Sequence, residues 1–197
     1  MTDNPSGILA RITEESLRKC LLRLAKTSAG TWEILSARVS RGTIAEALKH
    51  HDFKNPNAAA VYFSLSGLPL TAMMMFDPLD MECISKCFMG YSFPRGPVTT
   101  PTEEVMLLEL GNIVLNSLIN SAMNALKKSG MPSVPVYLEG EFPRLLEGLK
   151  AGVDPAKSFH IVALTLALRS DKSVAMSEVL ALVPDELALE LESLPRP

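Results

Sequence analysis

The residues best equipped for chemistry lie on one stretch, Glu109-Leu110-Gly111-Asn112-Ile113-Val114-Leu115-Asn116-Ser117-Leu118-Ile119-Asn120. At about 100° per residue, Glu109, Asn112, Asn116, Asn120 and Lys127 fall within about 60° of one line on a helix. Leu107, Leu108, Leu115, Leu118, Ala122 and Leu126 take the opposite face and are expected to be buried. Solvated helix stripes are normally built from Glu and Lys, whereas asparagine is a weaker helix former, so this stripe is unusual. Val105, Ile113 and Met123 stand at its edges. A carboxylate with an amide one turn later, flanked by apolar groups, makes a docking and catalytic surface. The same spacing also fits a polar seam, with the asparagines hydrogen-bonding across to a neighbouring helix. Spacing alone leaves both arrangements open.

Other candidates are sparse. His50 and His51 are adjacent and cannot face one site, and His160 stands alone in a strand-like run. No acidic or histidine partners stand at metal-ligand spacing from them. Cys83 and Cys87 lie four apart on one helix face and could supply two ligands, but free cysteines are commonly buried, inert thiols. The sequence contains no Gly-rich phosphate loop, nucleophile elbow or Cys-His pair.

Local signals define the elements that must position the stripe. Thr100-Pro101-Thr102-Glu103 is a capping-box pattern with proline just inside a helix. That helix is predicted to run to residue 128, about 42 Å, with Lys127 and Lys128 in its last turn and Gly130 ending it. An earlier helix is predicted over 13–28 and stopped by Gly30, then a strand over 32–40 and a helix over 43–50. Strands over 59–64 and 70–76 meet at Ser66-Gly67, and Asp77-Pro78 caps and opens a helix reaching residue 89, before Gly90. The Pro-rich stretch 92–101 is a linker. Beyond the long helix come a strand over 134–138, a helix over 143–150, strands over 159–168 and 174–182, and a final helix from Pro184.

The order helix, strand, short helix, hairpin, helix thus occurs twice, over about 13–91 and 100–194, within one domain spanning 1–197. The expected fold is α/β (α+β), pseudo-two-fold, with helices packed on a mainly antiparallel sheet. Composition agrees: 197 residues with 47% apolar and 21% charged are globular, and a net charge of −3 argues against nucleic acid. Three cysteines give no disulfide framework and point to a reducing compartment; the first ten residues carry no secretory signal pattern. The uncharged run 55–76 is broken by Ser66-Gly67-Leu68-Pro69, and 110–126 carries four asparagines, so neither is expected to insert in a membrane.

With these residues in view, Leu108-Glu109-Leu110-Gly111-Asn112-Ile113 resembles the Glu-x-x-Asn signature of the CheC/CheX/FliY phosphatases, which act on the phosphorylated chemotaxis regulator CheY. In that family a proline follows the asparagine by 23 positions, and Pro135 stands there. Asn120-Ser121-Ala122 is similar to the family's Asn-Ala stretch. The repeated order of elements extends the resemblance over the whole chain, to the CheC-type members. Two departures are visible. Val105 stands where the family has Asp or Ser, and in the first half Arg23 and Lys26 replace the carboxylate and the amide, so the resemblance implies that the first site is lost.

The resemblance implies a cytoplasmic hydrolase of the aspartyl phosphate on a CheY-like receiver, with Glu109 and Asn112 as its catalytic pair. Glu109 would dock against the receiver's lysine and Asn112 would hold the attacking water. Asn116, Asn120, Val105 and Ile113 would line the docking surface, and Pro135 would be structural. It implies no cofactor of the protein's own, the divalent cation being held by the receiver. The alternative is a non-catalytic module that docks a receiver, a CheD-like protein or a flagellar switch component. Neither reading involves nucleic acid or membrane insertion.

Overall fold

The run Thr71-Ala-Met-Met-Met-Phe76 has no polar face, so both of its sides must be covered, and it lies inside the sheet with every side chain buried. A computed structural model describes residues 7–49, 55–66, 68–93, 98–150 and 152–193. In chain order the elements are α1 (Gly7–Thr27), β1 (Thr31–Gly42), α2 (Ile44–Lys49), β2 (Asn57–Ser66) and β3 (Thr71–Phe76). A 3-10 turn (Pro78–Asp80) then leads into α3 (Met81–Met89). The second half contains α4 (Pro101–Leu126), β4 (Met131–Pro132), β5 (Val136–Glu141), α5 (Phe142–Leu149), β6 (Phe159–Ser170), β7 (Ser173–Val183) and α6 (Asp185–Glu192).

The strands form one antiparallel sheet in the order β1-β6-β7-β3-β2, and β4 and β5 follow one another along the outer edge of β2. Exchanging β1 with β5, β2 with β6 and β3 with β7 leaves this order unchanged. One face carries Val61, Phe63, Met74, Phe76, Leu164 and Val179 beneath the apolar sides of α1, α3, α4 and α6. The other carries Ala60, Tyr62, Met73, Met75, Ile161 and Leu182 beneath the shorter α2 and α5. At the β1 edge the register shifts between Ile34 and Ser36, leaving Leu35 as the extra residue. This bulge keeps Trp32 and Ile34 on the same face as Ala37 and Val39.

Several local expectations need correction. α1 begins at Gly7, six residues before the predicted start, and Gly30 is no left-handed cap. Gly30 instead allows close approach: a Cβ there would lie 2.2 Å from Cys87 Sγ, and its N–H donates to the Cys87 carbonyl at 2.8 Å. α4 ends at Leu126 because Lys127 turns left-handed (φ 53°), and the Lys128 N–H donates to the Met123 carbonyl at 3.0 Å. Gly130 therefore does not end the helix; it makes room for Leu65. Asp77 caps the 3-10 turn, accepting from the Leu79 N–H at 2.9 Å, and α3 starts only at Met81. The strand expected over 134–138 begins at Val136 and runs to Glu141 as β5, and a separate two-residue strand, β4, pairs with β2 ahead of it. The second hairpin turns tightly at Asp171 (φ 51°) and Lys172. Gly67, His50 and His51 lie outside the described residues. His160 places Nε2 3.2 Å from Asp185 Oδ1, where Arg41 also pairs.

Cys20, Cys83 and Cys87 are all buried. Burial raises all three thiols, Cys87 to about 12, so the thiolate is scarce at neutral pH. The folded protein should therefore leave Ellman's reagent unreacted at pH 8 over minutes, and release three equivalents on unfolding in guanidinium. Fast labelling of any one thiol in the native state would contradict this packing.

Candidate docking and catalytic face of helix α4

The long helix is fixed at its start by its own sequence. Thr100 Oγ1 accepts from the Glu103 N–H at 3.3 Å, and Glu103 Oε2 accepts from the Thr100 N–H at 2.7 Å, the reciprocal pair predicted from the motif. Pro101 occupies the first turn, where no N–H is required. Halfway along, Gly111 lets the helix press onto β2: a Cβ there would lie 2.6 Å from Val61 Cγ1 and 2.8 Å from its Cβ. This close approach lies next to Asn112, so the sheet sets the depth of that side chain.

α1 runs antiparallel along one flank of α4. Ser16 Oγ donates to the Ser117 carbonyl at 2.8 Å, Cys20 Sγ to the Ile113 carbonyl at 3.7 Å, and Arg23 Nη2 to Ser117 Oγ at 3.4 Å. The helix is thus covered on two sides, by the sheet and by α1. Met106, Leu110, Val114, Ile119 and Met123 are buried in addition to Leu107, Leu115, Leu118 and Leu126. Met123 is therefore core and not an edge of the wet stripe, while Leu108 and Ala122, expected inside, are half-buried. α4 is the one helix among the described residues long and apolar enough to cross a membrane, and its apolar sides pack within the protein.

The remaining surface is the stripe. Glu109 and Asn120 are exposed, Asn112, Ile113 and Asn116 are half-buried, and Val105 is 66% exposed. Asn116 Nδ2 donates to Asn112 Oδ1 at 2.6 Å, along the helix and not across to α1. The seam with α1 is made by Ser16, Cys20, Arg23 and Ser117, so the asparagines are not its glue. The resemblance places Asn116 on the docking surface. Its bond to Asn112 is the i,i+4 contact that their spacing permits. Pro135 lies half-buried between β4 and β5 on the outer edge of β2, where the residue without an N–H falls in the gap of the ladder. On β5, the Tyr137 hydroxyl donates to Glu139 Oε2 at 2.5 Å, and burial followed by that carboxylate raises its pKa.

The corresponding pair on α1, Arg23 and Lys26, is exposed near the end of a helix that stops at Thr27, with Lys26 in its last turn. No helical turn follows to supply a supporting amide, as Asn116 does for Asn112. Among the described residues no group of His, Cys, Asp and Glu side chains could hold a metal ion. The chemistry available to this face is therefore that of one carboxylate, one held amide and the neighbouring cations.

No protein-family model matches the chain, and no curated protein matches it in sequence. Solved structures do match. FliY of Thermotoga maritima superposes with a TM-score of 0.68 at 13% identity, covering 97% of this chain and 95% of that one. A chain of the FliM-SpeE complex from H. pylori gives 0.67 at 13% identity, covering 98% and 97%. A chain of the FliG-FliM complex from H. pylori gives 0.64 at 14% identity, covering 96% and 99%. The chain has the fold of these proteins, with the mixed α/β architecture and largely antiparallel sheet expected from its sequence.

The contact at Gly111 is open to test. Gly111→Ala gains up to about 1 kcal/mol of helix propensity but must displace Val61, an overpacking cost of about 1–3 kcal/mol. The variant should melt at a lower temperature than the parent, while Asn120→Ala stays within about 0.5 kcal/mol. A Gly111→Ala protein more stable than the parent would show that α4 does not lie this close to β2.

Proposed function

We propose that this protein binds a phosphorylated CheY-like receiver and hydrolyses its aspartyl phosphate. Glu109 is the docking residue and Asn112 the group that orients the water. The observation that carries this reading is the Asn116-to-Asn112 hydrogen bond at 2.6 Å. It holds one lone pair of the Asn112 carbonyl oxygen along the helix, leaving the half-exposed amide directed by a rigid element. The fold shared with FliY supports it, as does Glu109, exposed one turn earlier on the same stripe.

The reaction asks little of the visiting protein. The receiver holds its own divalent cation, and phosphoryl transfer depends on positioning and electrostatics. Asn112 Oδ1 accepts one proton of a water and sets that water in line with phosphorus. The water oxygen bonds to phosphorus as the bond from phosphorus to the aspartyl oxygen breaks. The aspartate leaves as carboxylate, and both protons of the water depart with the inorganic phosphate, as dihydrogen phosphate. Glu109 pairs with a receiver lysine and fixes the approach. Such a partner places the protein in the cytoplasm.

A second reading is a binding module without hydrolysis, engaging a component of the flagellar switch. The fold shared with a chain of the FliG-FliM complex favours it, as do Val105 and the basic pair on α1.

The two readings separate in one experiment. Release of phosphate from a receiver phosphorylated with acetyl phosphate should accelerate when the protein is added. Asn112→Ala should lose about 10²-fold of that acceleration, or all of it, while still binding the receiver. Glu109→Lys should weaken binding itself, since a cation would then oppose a lysine. Receiver binding without acceleration, or equal loss of binding in both variants with no separate loss of rate, would establish the binding module instead.

A further inference from the structure

The basic residues on α1 fall into two groups. Nearer the start and in the middle of the helix, Arg11 lies in the field of Glu15, Arg18 pairs with Glu14 at 2.6 Å and Lys19 with Glu15 at 2.8 Å. Among the described residues Arg23, Lys26 and Glu109 have no ion-pair partner. Cations near a helix C-terminus are ordinarily explained by the helix dipole, and that accounts for Lys26 in the last turn of α1. It does not account for Arg23. That side chain leans toward the N-terminus of its own helix, as helical side chains do, and its guanidinium reaches Ser117 on α4.

Ser117 stands about 80° round α4 from Glu109 at 100° per residue, on the flank that meets α1. Between them lie Ile113 and Asn120, while Asn116 and Asn112 lie on the far side of Glu109, so Arg23 borders the Glu109 flank of that surface. The guanidinium also acts on the Cys20 thiol, which donates to the Ile113 carbonyl, placing its charge over that seam. One N–H is directed to the serine, and the others remain available to a partner.

We propose that Arg23 belongs to the Glu109–Asn112 surface as a docking cation, binding a carboxylate of the same phosphorylated receiver whose lysine meets Glu109. This rests on the receiver reading above. The chemistry follows from what such a partner must carry: a phosphoryl group and the carboxylates that hold its divalent cation make an acidic pocket, with a lysine beside it. A face presenting one cation and one anion without partners of their own is complementary to that pocket and fixes the orientation of docking. Arg23 stands where the first site would have had its carboxylate, but in this fold it serves the second site. Arg23 is then not a relic of a lost site.

The test uses the full chain and a CheY-type receiver from the same organism, loaded with beryllofluoride and magnesium. Arg23→Glu should weaken binding about tenfold or more and flatten the dependence of the association rate on ionic strength. Arg23→Ala should act in the same direction by about threefold, and Arg23→Lys should keep most of the affinity because charge carries the effect. A purely structural role would leave the salt dependence unmoved. Binding by Arg23→Glu within about twofold of the parent, with Glu109→Lys still impaired, would remove Arg23 from the surface while leaving the receiver reading intact. Failure of the parent protein to bind the loaded receiver would overturn both.

Discussion

Each hairpin of the sheet is completed by the first strand of the other half: β1 closes onto β6 and β5 onto β2. Backbone N–H and C=O groups buried without partners are costly, so neither hairpin has its full ladder until the other half has arrived. The hairpins themselves meet at β3 and β7, the only strand pair among the described residues that joins them directly. This cross-pairing ties residues more than a hundred positions apart, such as Val39 and Val162, into one ladder. It also dictates where the helices go. With the sheet continuous, α1 and α4 must cover the same face, and they lie side by side and antiparallel.

From that adjacency follows the character of the surface. α4 has an apolar composition because it is covered twice, once by β2 and β3 and once by α1. What is left over is a narrow strip, and it is furnished with asparagines where solvation alone would favour longer charged side chains. An amide gains in such a place by being both donor and acceptor: Asn116 can hold Asn112, and Asn112 still has groups to offer. The cross-helix bonds are left to Ser16, Cys20, Arg23 and Ser117, which spares the asparagines.

The two halves place their motif positions in different surroundings. Asn112 is followed by more than three turns of helix, and Gly111 draws it down onto Val61. Lys26 is followed by the end of α1, and the chain there turns at Gly30 under the close contact of Cys87. A held amide is available only in the first setting. Similar topology thus supports different chemistry, because function resides in what surrounds the motif and not in the order of strands.

Much of this was legible in the residues alone, wherever the determinant was local. The capping box at Thr100 and Glu103 and the helix stop before Gly90 each depend on a few neighbouring residues, and each forms, while Asp77 does cap, though a 3-10 turn and not α3. The 100° helical step put Glu109, Asn112, Asn116 and Asn120 on one strip, and it is the strip the fold leaves open. Tertiary structure decided the rest. Gly30, Gly111 and Gly130 look alike in the sequence, yet each is explained by a distant side chain that a Cβ would strike, Cys87, Val61 and Leu65. Periodicity could not distinguish Met123 in the core from Leu108 at its margin, because that depends on which flank α1 covers. Nor could it bring Arg23 to Ser117, a contact spanning 94 positions, because only packing sets the distance between two faces that sequence can merely name.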